Sequence, residues 1–370
     1  MWQPQGLFSQ FSLRTPVVLS GAESLRGLYN YPGERFAVIH GLTLSEDDKA
    51  LFRQVFKKKD VCFIKRSWTG EPTVDGLSGS LKAIEEYQPD TLIAFGGGSV
   101  IDGTKLCRLY FEFPFYNAEH SRLEGAALKT RFIAVPTTIG SGAEVSSAAV
   151  YWNEAEHRKE MVVMHEFQPD VIVYDKKYVE HTPLKILCAS ALDGMSHIIE
   201  GYVSNVNNEW MELLGEKGLS IFRQALADSG APDYARLQYA GYIGGIVQNH
   251  CIVGGAHAIA HQLTEYGFSH GEAVGLLLPS VINVNSSDSE CAEKYNYLAH
   301  QAGFLDVPEL TSFLERLIQL GGISARRDEL KAVLSDNFVS MASNIKDDRG
   351  GKGNPVPITD DYVKRVIWGL

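Results

Sequence analysis

Asp193 and His197 stand four residues apart, as do His257 and His261, and His270 follows shortly after the second pair. On a helix, residues four apart share one face with Cβ atoms about 5–6 Å apart, so each pair aims two donors at one point. Carboxylate and neutral imidazole are ligands that a borderline divalent cation accepts. Asp193, His197, His257 and His270 are therefore read as a metal site. His270 lies in Ser269-His270-Gly271-Glu272, just past Gly267, and a loop position is expected for it. His250 extends the stripe of His257 and His261 and reads as structural. Buried, hydrogen-bonded histidines are the alternative; two such pairs in company with the motifs below favour the metal.

A second kind of chemistry is signalled upstream. The apolar run Thr91–Phe95 leads directly into Gly96-Gly97-Gly98-Ser99-Val100-Ile101-Asp102, after which a helical pattern resumes through Lys105 and Leu109. Glycines let a ligand approach the backbone, and a helix start offers free N–H groups and a positive dipole end. This is a pyrophosphate cradle, although not the G-x-G-x-x-G fingerprint. Phe132–Pro136 runs into Thr137-Thr138-Ile139-Gly140-Ser141-Gly142, where hydroxyls after a strand suit a nucleotide or its ribose.

Elements must hold these groups in place. Short runs at 17–19, 36–40, 61–64, 91–95, 132–136 and 171–175 read as strands, with helical patterns at 44–59, 77–87 and after Gly98. Strands apolar on both faces and alternating with helices predict a parallel sheet covered on both sides. Ser146–Trp152 and Glu160–His165 read as a hairpin, with Arg158 and Lys159 as solvated turn charges. Thr182-Pro183 signals a helix start, with the Thr182 hydroxyl as cap. From there only helices are expected: 184–203, 211–227, a long 234–263 whose glycines allow close packing or mark a break, 272–284, 308–321, 327–334 and 360–370. The segment 346–357 reads as a loop.

A chain of 370 residues is too long for one compact core. We expect an α/β dinucleotide-binding domain over 1–180 and an all-helical, metal-binding domain over 181–370, with the two sites facing each other across a cleft. Lys+Arg 34 against Asp+Glu 45 gives a net charge of −11, which argues against nucleic acid or an anionic membrane as partner. No apolar run approaches eighteen residues. The segment Met1–Gln5 lacks a basic and an apolar stretch, and Cys62, Cys107, Cys188, Cys251 and Cys291 are scattered. A cytoplasmic protein with reduced thiols is expected.

Taken in order, Gly96-Gly97-Gly98-Ser99-x-x-Asp102-x-x-Lys105, Pro136-Thr137-Thr138-x-Gly140-Ser141-Gly142-x-Glu144, Asp193-x-x-x-His197 and His257-x-x-x-His261 with His270-Gly271 resemble the iron-containing (group III) alcohol dehydrogenases. That family includes lactaldehyde reductase and propanediol dehydrogenase, and the resemblance covers nearly the whole chain. It implies Fe²⁺, alternatively Zn²⁺, on Asp193, His197, His257 and His270, with His261 near nicotinamide and substrate. It implies pyrophosphate contacts at Gly97, Gly98 and Ser99, an adenosine side at Thr137, Thr138 and Ser141, and Asp102 and Lys159 near the nicotinamide end. A homodimer is expected.

Three departures stand out. Ser141 replaces a usual threonine and keeps the hydroxyl. The interval from His257 to His270 is slightly short. Gly41 follows the strand 36–40 where NAD-preferring members carry an aspartate, which would accept the ribose 2′-OH and repel a 2′-phosphate. NADPH is therefore expected as cofactor, with NADH the alternative. The expected chemistry is hydride transfer between nicotinamide and a small aldehyde, the cation stabilising the developing alkoxide. Arg158 and Lys159 hint at an anionic aldehyde such as a phosphonate or sugar acid. Other readings are a lyase or cyclase like dehydroquinate synthase, a glycerol-phosphate-type dehydrogenase, a metal-free reductase like maleylacetate reductase, and a non-catalytic metal-stabilised binding protein.

Overall fold

The computed structural model describes residues 13, 15–116, 127–226 and 231–370. Six parallel strands form one sheet: β1 (Val17–Ser20), β2 (Arg35–His40), β3 (Asp60–Lys65), β4 (Thr91–Gly96), β5 (Arg131–Pro136) and, after the antiparallel hairpin β6 (Ala148–Asn153) and β7 (Arg158–Val163), β8 (Val171–Tyr174). The order across the sheet is β1-β8-β5-β4-β2-β3. Three helices cross over it: α1 (Glu46–Val55), α2 (Ser78–Tyr87) and α3 (Gly98–Glu112).

The double-sided apolar strands explain this layering. Phe36 and Val38 of β2 pack with Ile93 and Phe95 of β4 against Phe52 and Phe56 beside α1. Their neighbours Ala37, Ile39, Leu92 and Ala94 pack with Ile84 of α2 and Ile101 and Leu106 of α3 on the other face. Successive side chains alternate, so each strand serves both layers. Chain order reverses direction between β2 and β4, and such a switch point opens a crevice at the C-terminal strand ends. Gly41 ends one of those strands and Gly96–Gly98 the other.

The remainder is helical: α4 (Leu184–Val203), α5 (Glu209–Leu226), α6 (Tyr234–Cys251), α7 (Gly255–Ala260), α8 (His270–Asn285), α9 (Ser289–Ala302), α10 (Val307–Leu320), α11 (Arg327–Asp336), α12 (Phe338–Asp347) and α13 (Asp360–Trp368). The helix α4 is buried along nearly its whole length, with α5, α6 and α8 packed around it. No helix among the described residues is long and apolar enough to cross a membrane.

Several expectations need correction. Of the two readings of the glycines in 234–263 the break is the one observed, since Ile252 adopts a φ of 56° and Gly254 caps a separate α7. His250 is thereby removed from the stripe of His257 and His261, and its Nδ1 donates to the Ile246 carbonyl of its own helix at 2.8 Å. The α4 N-cap is Pro183, without a side-chain cap, rather than Thr182. Lys346 and Asp347 end α12, and a 3-10 turn covers Gly350–Gly353, so 346–357 is only partly a loop. Arg158 and Lys159 are not turn residues but open β7.

Candidate active site

The metal-type residues reach one place along three helices. The α4 helix presents Asp193 and His197 on one buried face. His257 lies in α7, whose N-terminal amides are held from outside the helix. Ala256 N–H donates to Glu200 Oε1 at 2.7 Å and Gly255 N–H to Asn354 Oδ1 at 3.1 Å. His270 is not on a loop but opens α8. The Glu272 carboxylate accepts from both the amide and the hydroxyl of Ser269, at 3.1 and 2.7 Å, which fixes the helix start one residue before His270. The absence of a side chain at Gly271 lets that start lie against α4, since a Cβ there would fall 2.5 Å from the Ala189 carbonyl oxygen.

The donor atoms converge. Asp193 Oδ1 is 3.7 Å from Nε2 of both His197 and His257 and 3.5 Å from Nε2 of His270. Ligand atoms of Asp193, His257 and His270 lie within 4.8 Å of one another. The His197 ring stacks on His257, with centroids 5.0 Å apart, at the edge of that group. Asp193 Oδ1 and His257 Nε2 are buried and make no hydrogen bond among the described residues. Donors on a tetrahedral ion with bonds of about 2.1 Å stand about 3.4 Å apart, so this spacing suits coordination better than direct pairing. Asp193, His257 and His270 therefore fit a divalent cation, with His197 Nε2 adjoining them at 3.7 Å from Asp193 Oδ1.

Electrostatics agree with the geometry. Burial pushes the Asp193 carboxyl up to about 6, against the lowering effect of His257 and Lys159. A cation at this point would reverse that penalty. Burial, then Lys159, holds His270 well below its ordinary range, and burial, then His257, does the same to His197. Both rings are neutral and present lone pairs.

Two partners of these rings escaped the sequence reading. His257 Nδ1 meets Glu200 Oε2 at 2.5 Å, which places its proton on Nδ1 and turns the Nε2 lone pair toward Asp193. His261 opens a 3-10 turn after α7, and its Nδ1 meets Asp348 Oδ2 at 2.8 Å. The Asp348 carboxylate also accepts from the Gly350 amide at 2.7 Å. Burial raises Asp348, but His261 outweighs it and holds the carboxyl below the usual range. The His261 ring stacks on His270 with centroids 5.4 Å apart. Glu200 shares α4 with Asp193, two turns on, and that spacing was a signal available in the sequence; Asp348 offered none.

From the sheet side, Lys159 enters the same site. Its side chain is 4 % exposed, pairs with Glu71 Oε1 at 2.5 Å and stands 3.4 Å from His270 Nδ1. Arg158 instead pairs with Glu160 at 2.8 Å and is exposed. Glu71, on the loop after β3, also went unread in the sequence.

The nucleotide-type residues line the crevice. Cβ atoms added at Gly97 and Gly98 would fall 3.0 Å from Thr138 and 2.8 Å from Ser141, so the loop after β5 closes directly over the start of α3. Thr137 continues that strand through its amide, which donates to the Gly96 carbonyl at 3.1 Å. Ser99 accepts hydrogen bonds from Arg66 Nη1 at 2.9 Å and Trp68 Nε1 at 3.1 Å. Asp102 is buried, with one oxygen 3.1 Å from Lys105 Nζ and the other accepting from the Val150 amide at 3.2 Å. Fully buried Lys105 also donates to the Ala148 carbonyl at 2.6 Å. Asp102 and Lys105 thus pin α3 to β6, whose hairpin partner carries Lys159. Gly41 stands beside Val100 of α3.

Known proteins place this arrangement. Residues 16–176 match the family model described as iron-containing alcohol dehydrogenase, and residues 187–368 match that for the C-terminal part of the same family. The chain is 27% identical over 357 residues to an alcohol dehydrogenase of Thermococcus barophilus, covering 91% of each. It is 29% identical over 319 residues to a 1-propanol dehydrogenase of Salmonella typhimurium, covering 82% of this chain and 83% of that protein. The structure of an iron-containing alcohol dehydrogenase from Thermococcus thioreducens superposes with a TM-score of 0.87 at 26% identity, covering 97% of this chain and 99% of the other. The chain belongs to the iron-containing alcohol dehydrogenase family and is an oxidoreductase of that family.

Proposed function

We propose that this protein interconverts a small aldehyde and its alcohol with NADPH, using a divalent cation on Asp193, His197, His257 and His270. Fe²⁺ is the ion favoured by the family and Zn²⁺ the alternative, since both accept these donors. The observation that carries the reading is the convergence of three imidazole nitrogens on the unpartnered Asp193 Oδ1, at 3.5–3.7 Å.

Bound there, the cation supplies Lewis acidity toward a carbonyl oxygen while the nicotinamide supplies hydride. The chain's residues do the rest. Amides at the start of α3, with Gly97, Gly98 and Ser99, hold the pyrophosphate, while Thr137, Thr138 and Ser141 flank the adenosine side. Asp102, through its bond to β6, keeps that cradle in register with Lys159. Glu200 orients His257. Asp348 holds the His261 proton on Nδ1, leaving Nε2 to exchange the proton that balances hydride delivery.

Gly41 supports NADPH, because no carboxylate ends β2 to repel a 2′-phosphate. Substrate charge follows from Lys159. It is the cation inside the cluster, and Glu71 neutralises it, so an uncharged short aldehyde fits better than the anionic one that Arg158 and Lys159 hinted at. The Asp193–His197 pair favours a dehydrogenase over a dehydroquinate synthase-like enzyme, whose ligands are Glu/His/His. A boundary at 180/181 and a homodimer belong to the same reading; a monomer in sedimentation equilibrium would remove the latter. Oxidation of NADPH by a panel of neutral and anionic aldehydes, with Fe²⁺ or Zn²⁺ supplied, tests the whole. Metal-independent turnover, or none with any aldehyde, would sink it.

A further inference from the structure

We propose that Arg66 recognises the 2′-phosphate of the dinucleotide and sets cofactor choice. This rests on the NADPH reading above and names the residue responsible for it.

The backbone places Arg66 beside the missing carboxylate. The β2–β3 ladder pairs His40 with Lys65, and the Arg66 amide continues it by donating to the His40 carbonyl at 2.9 Å. Arg66 is therefore the lateral neighbour of Gly41. Side chains alternate along a strand, so residue 41 falls on the face of Ala37 and Ile39, toward α3. A Cβ at Gly41 would indeed lie 3.5 Å from Val100 of α3. Arg66 points to that same face, because its Nη1 reaches Ser99 Oγ at 2.9 Å and the Gly70 carbonyl at 3.4 Å. Lys65 falls on the opposite face, with His40. The guanidinium thus runs from the end of β3, past the end of β2, to the pyrophosphate cradle.

Two further observations point to an anion. No carboxylate pairs with Arg66 among the described residues, and burial is the influence acting on its charge. A half-buried cation without a counter-charge carries a desolvation cost that an anionic ligand removes. Both of its hydrogen bonds run through Nη1, so Nε and Nη2 remain for the two-point grip that a guanidinium offers a phosphate. Where an acid after β2 would select a ribose 2′-OH, Gly41 stands there with Arg66 beside it.

The rival role is a clamp on the pyrophosphate, and binding measurements separate the two. On the full-length, metal-loaded protein, affinities for NADPH and NADH are read by nicotinamide fluorescence, and those for 2′,5′-ADP and 5′-AMP by calorimetry. Arg66→Ala is expected to weaken NADPH and 2′,5′-ADP by on the order of ten- to a hundred-fold, leaving NADH and 5′-AMP within about three-fold. Arg66→Lys keeps the charge without the fork and falls between. Gly41→Asp, which the 3.5 Å spacing to Val100 accommodates, pairs with Arg66 and turns the preference toward NADH. Equal weakening of both members of each pair by Arg66→Ala overturns the assignment in favour of the pyrophosphate. A wild-type preference for NADH contradicts the NADPH reading itself; the Arg66 assignment then still stands or falls on whether Arg66→Ala selectively removes the remaining NADPH binding.

Discussion

The glycine-lined crevice and the histidine cluster are made of different material. The crevice is largely main chain: the start of α3, the loop after β5 and the bare strand end at Gly41. The cluster is side chain throughout, with Asp193, His197 and His257 all less than 10 % exposed. A main-chain site depends on what is absent, because added atoms at Gly97 or Gly98 would crowd Thr138 or Ser141. A side-chain site depends on what stands behind it. Without Glu200 the His257 ring has no fixed tautomer, and without Asp348 the same holds for His261.

The contrast is sharpened most by removing a donor. His257→Ala should abolish bound metal and activity together while dinucleotide affinity persists, as metal analysis beside fluorescence titration would reveal; joint loss of dinucleotide binding would mean that the two regions are not separable. His261→Ala should keep the metal and lower turnover by on the order of a hundred-fold, the usual scale for a positioned proton donor. Loss of metal in that variant would move His261 into the ligand set. Glu200→Gln should cost about ten- to a hundred-fold in metal affinity, measured by chelator competition, with NADPH affinity unchanged.

Protonation separates the regions in another way. A raised carboxyl favours its protonated form, so Asp193 contributes stability below the ordinary carboxylate range and loses it as pH rises through about 6. The ion needs the anion. With His197 and His270 already neutral, affinity should fall about ten-fold for each pH unit below 6, while binding of NAD⁺, whose pyrophosphate does not titrate in that window, stays flat. The smallest expected effect concerns the seam between the regions. A Cβ at Gly241 would fall 1.8 Å from the Ile139 carbonyl oxygen, so Gly241→Ala should destabilise by about 1–3 kcal/mol, seen as a lower Tm, with the metal still bound.

The same division explains what could be read in advance. Strands β2, β4, β5 and β8 were legible because each is apolar on both faces, and the turn from β4 into α3 because three glycines follow the strand. The grouping of Asp193, His257 and His270 was legible from spacing and from the family resemblance, while His197 stands at the edge of that group. What escaped depends on tertiary placement. Glu71, Arg66 and Asp348 are ordinary charged residues until the fold brings them to Lys159, Ser99 and His261. The helix α9 carries a mixed pattern although Asp288 caps it, accepting from the Cys291 amide at 2.9 Å, and α12 has no side-chain cap at all. The glycines at 254 and 255 signalled a break, but that the chain turns at Ile252, a positive-φ residue that is not glycine, local propensity does not anticipate. Lys159, a turn charge by sequence, is buried in the fold against the Glu71 carboxylate.

The proposed chemistry requires one ion seated among four side chains opposite the dinucleotide. Anomalous diffraction at the iron edge, from crystals grown with Fe²⁺ and NADPH, addresses this directly. It should show a single peak about 2.0–2.2 Å from the Asp193 carboxylate and from Nε2 of His197, His257 and His270. No peak there from protein that reduces aldehydes at full rate, or one held by other residues, would contradict it.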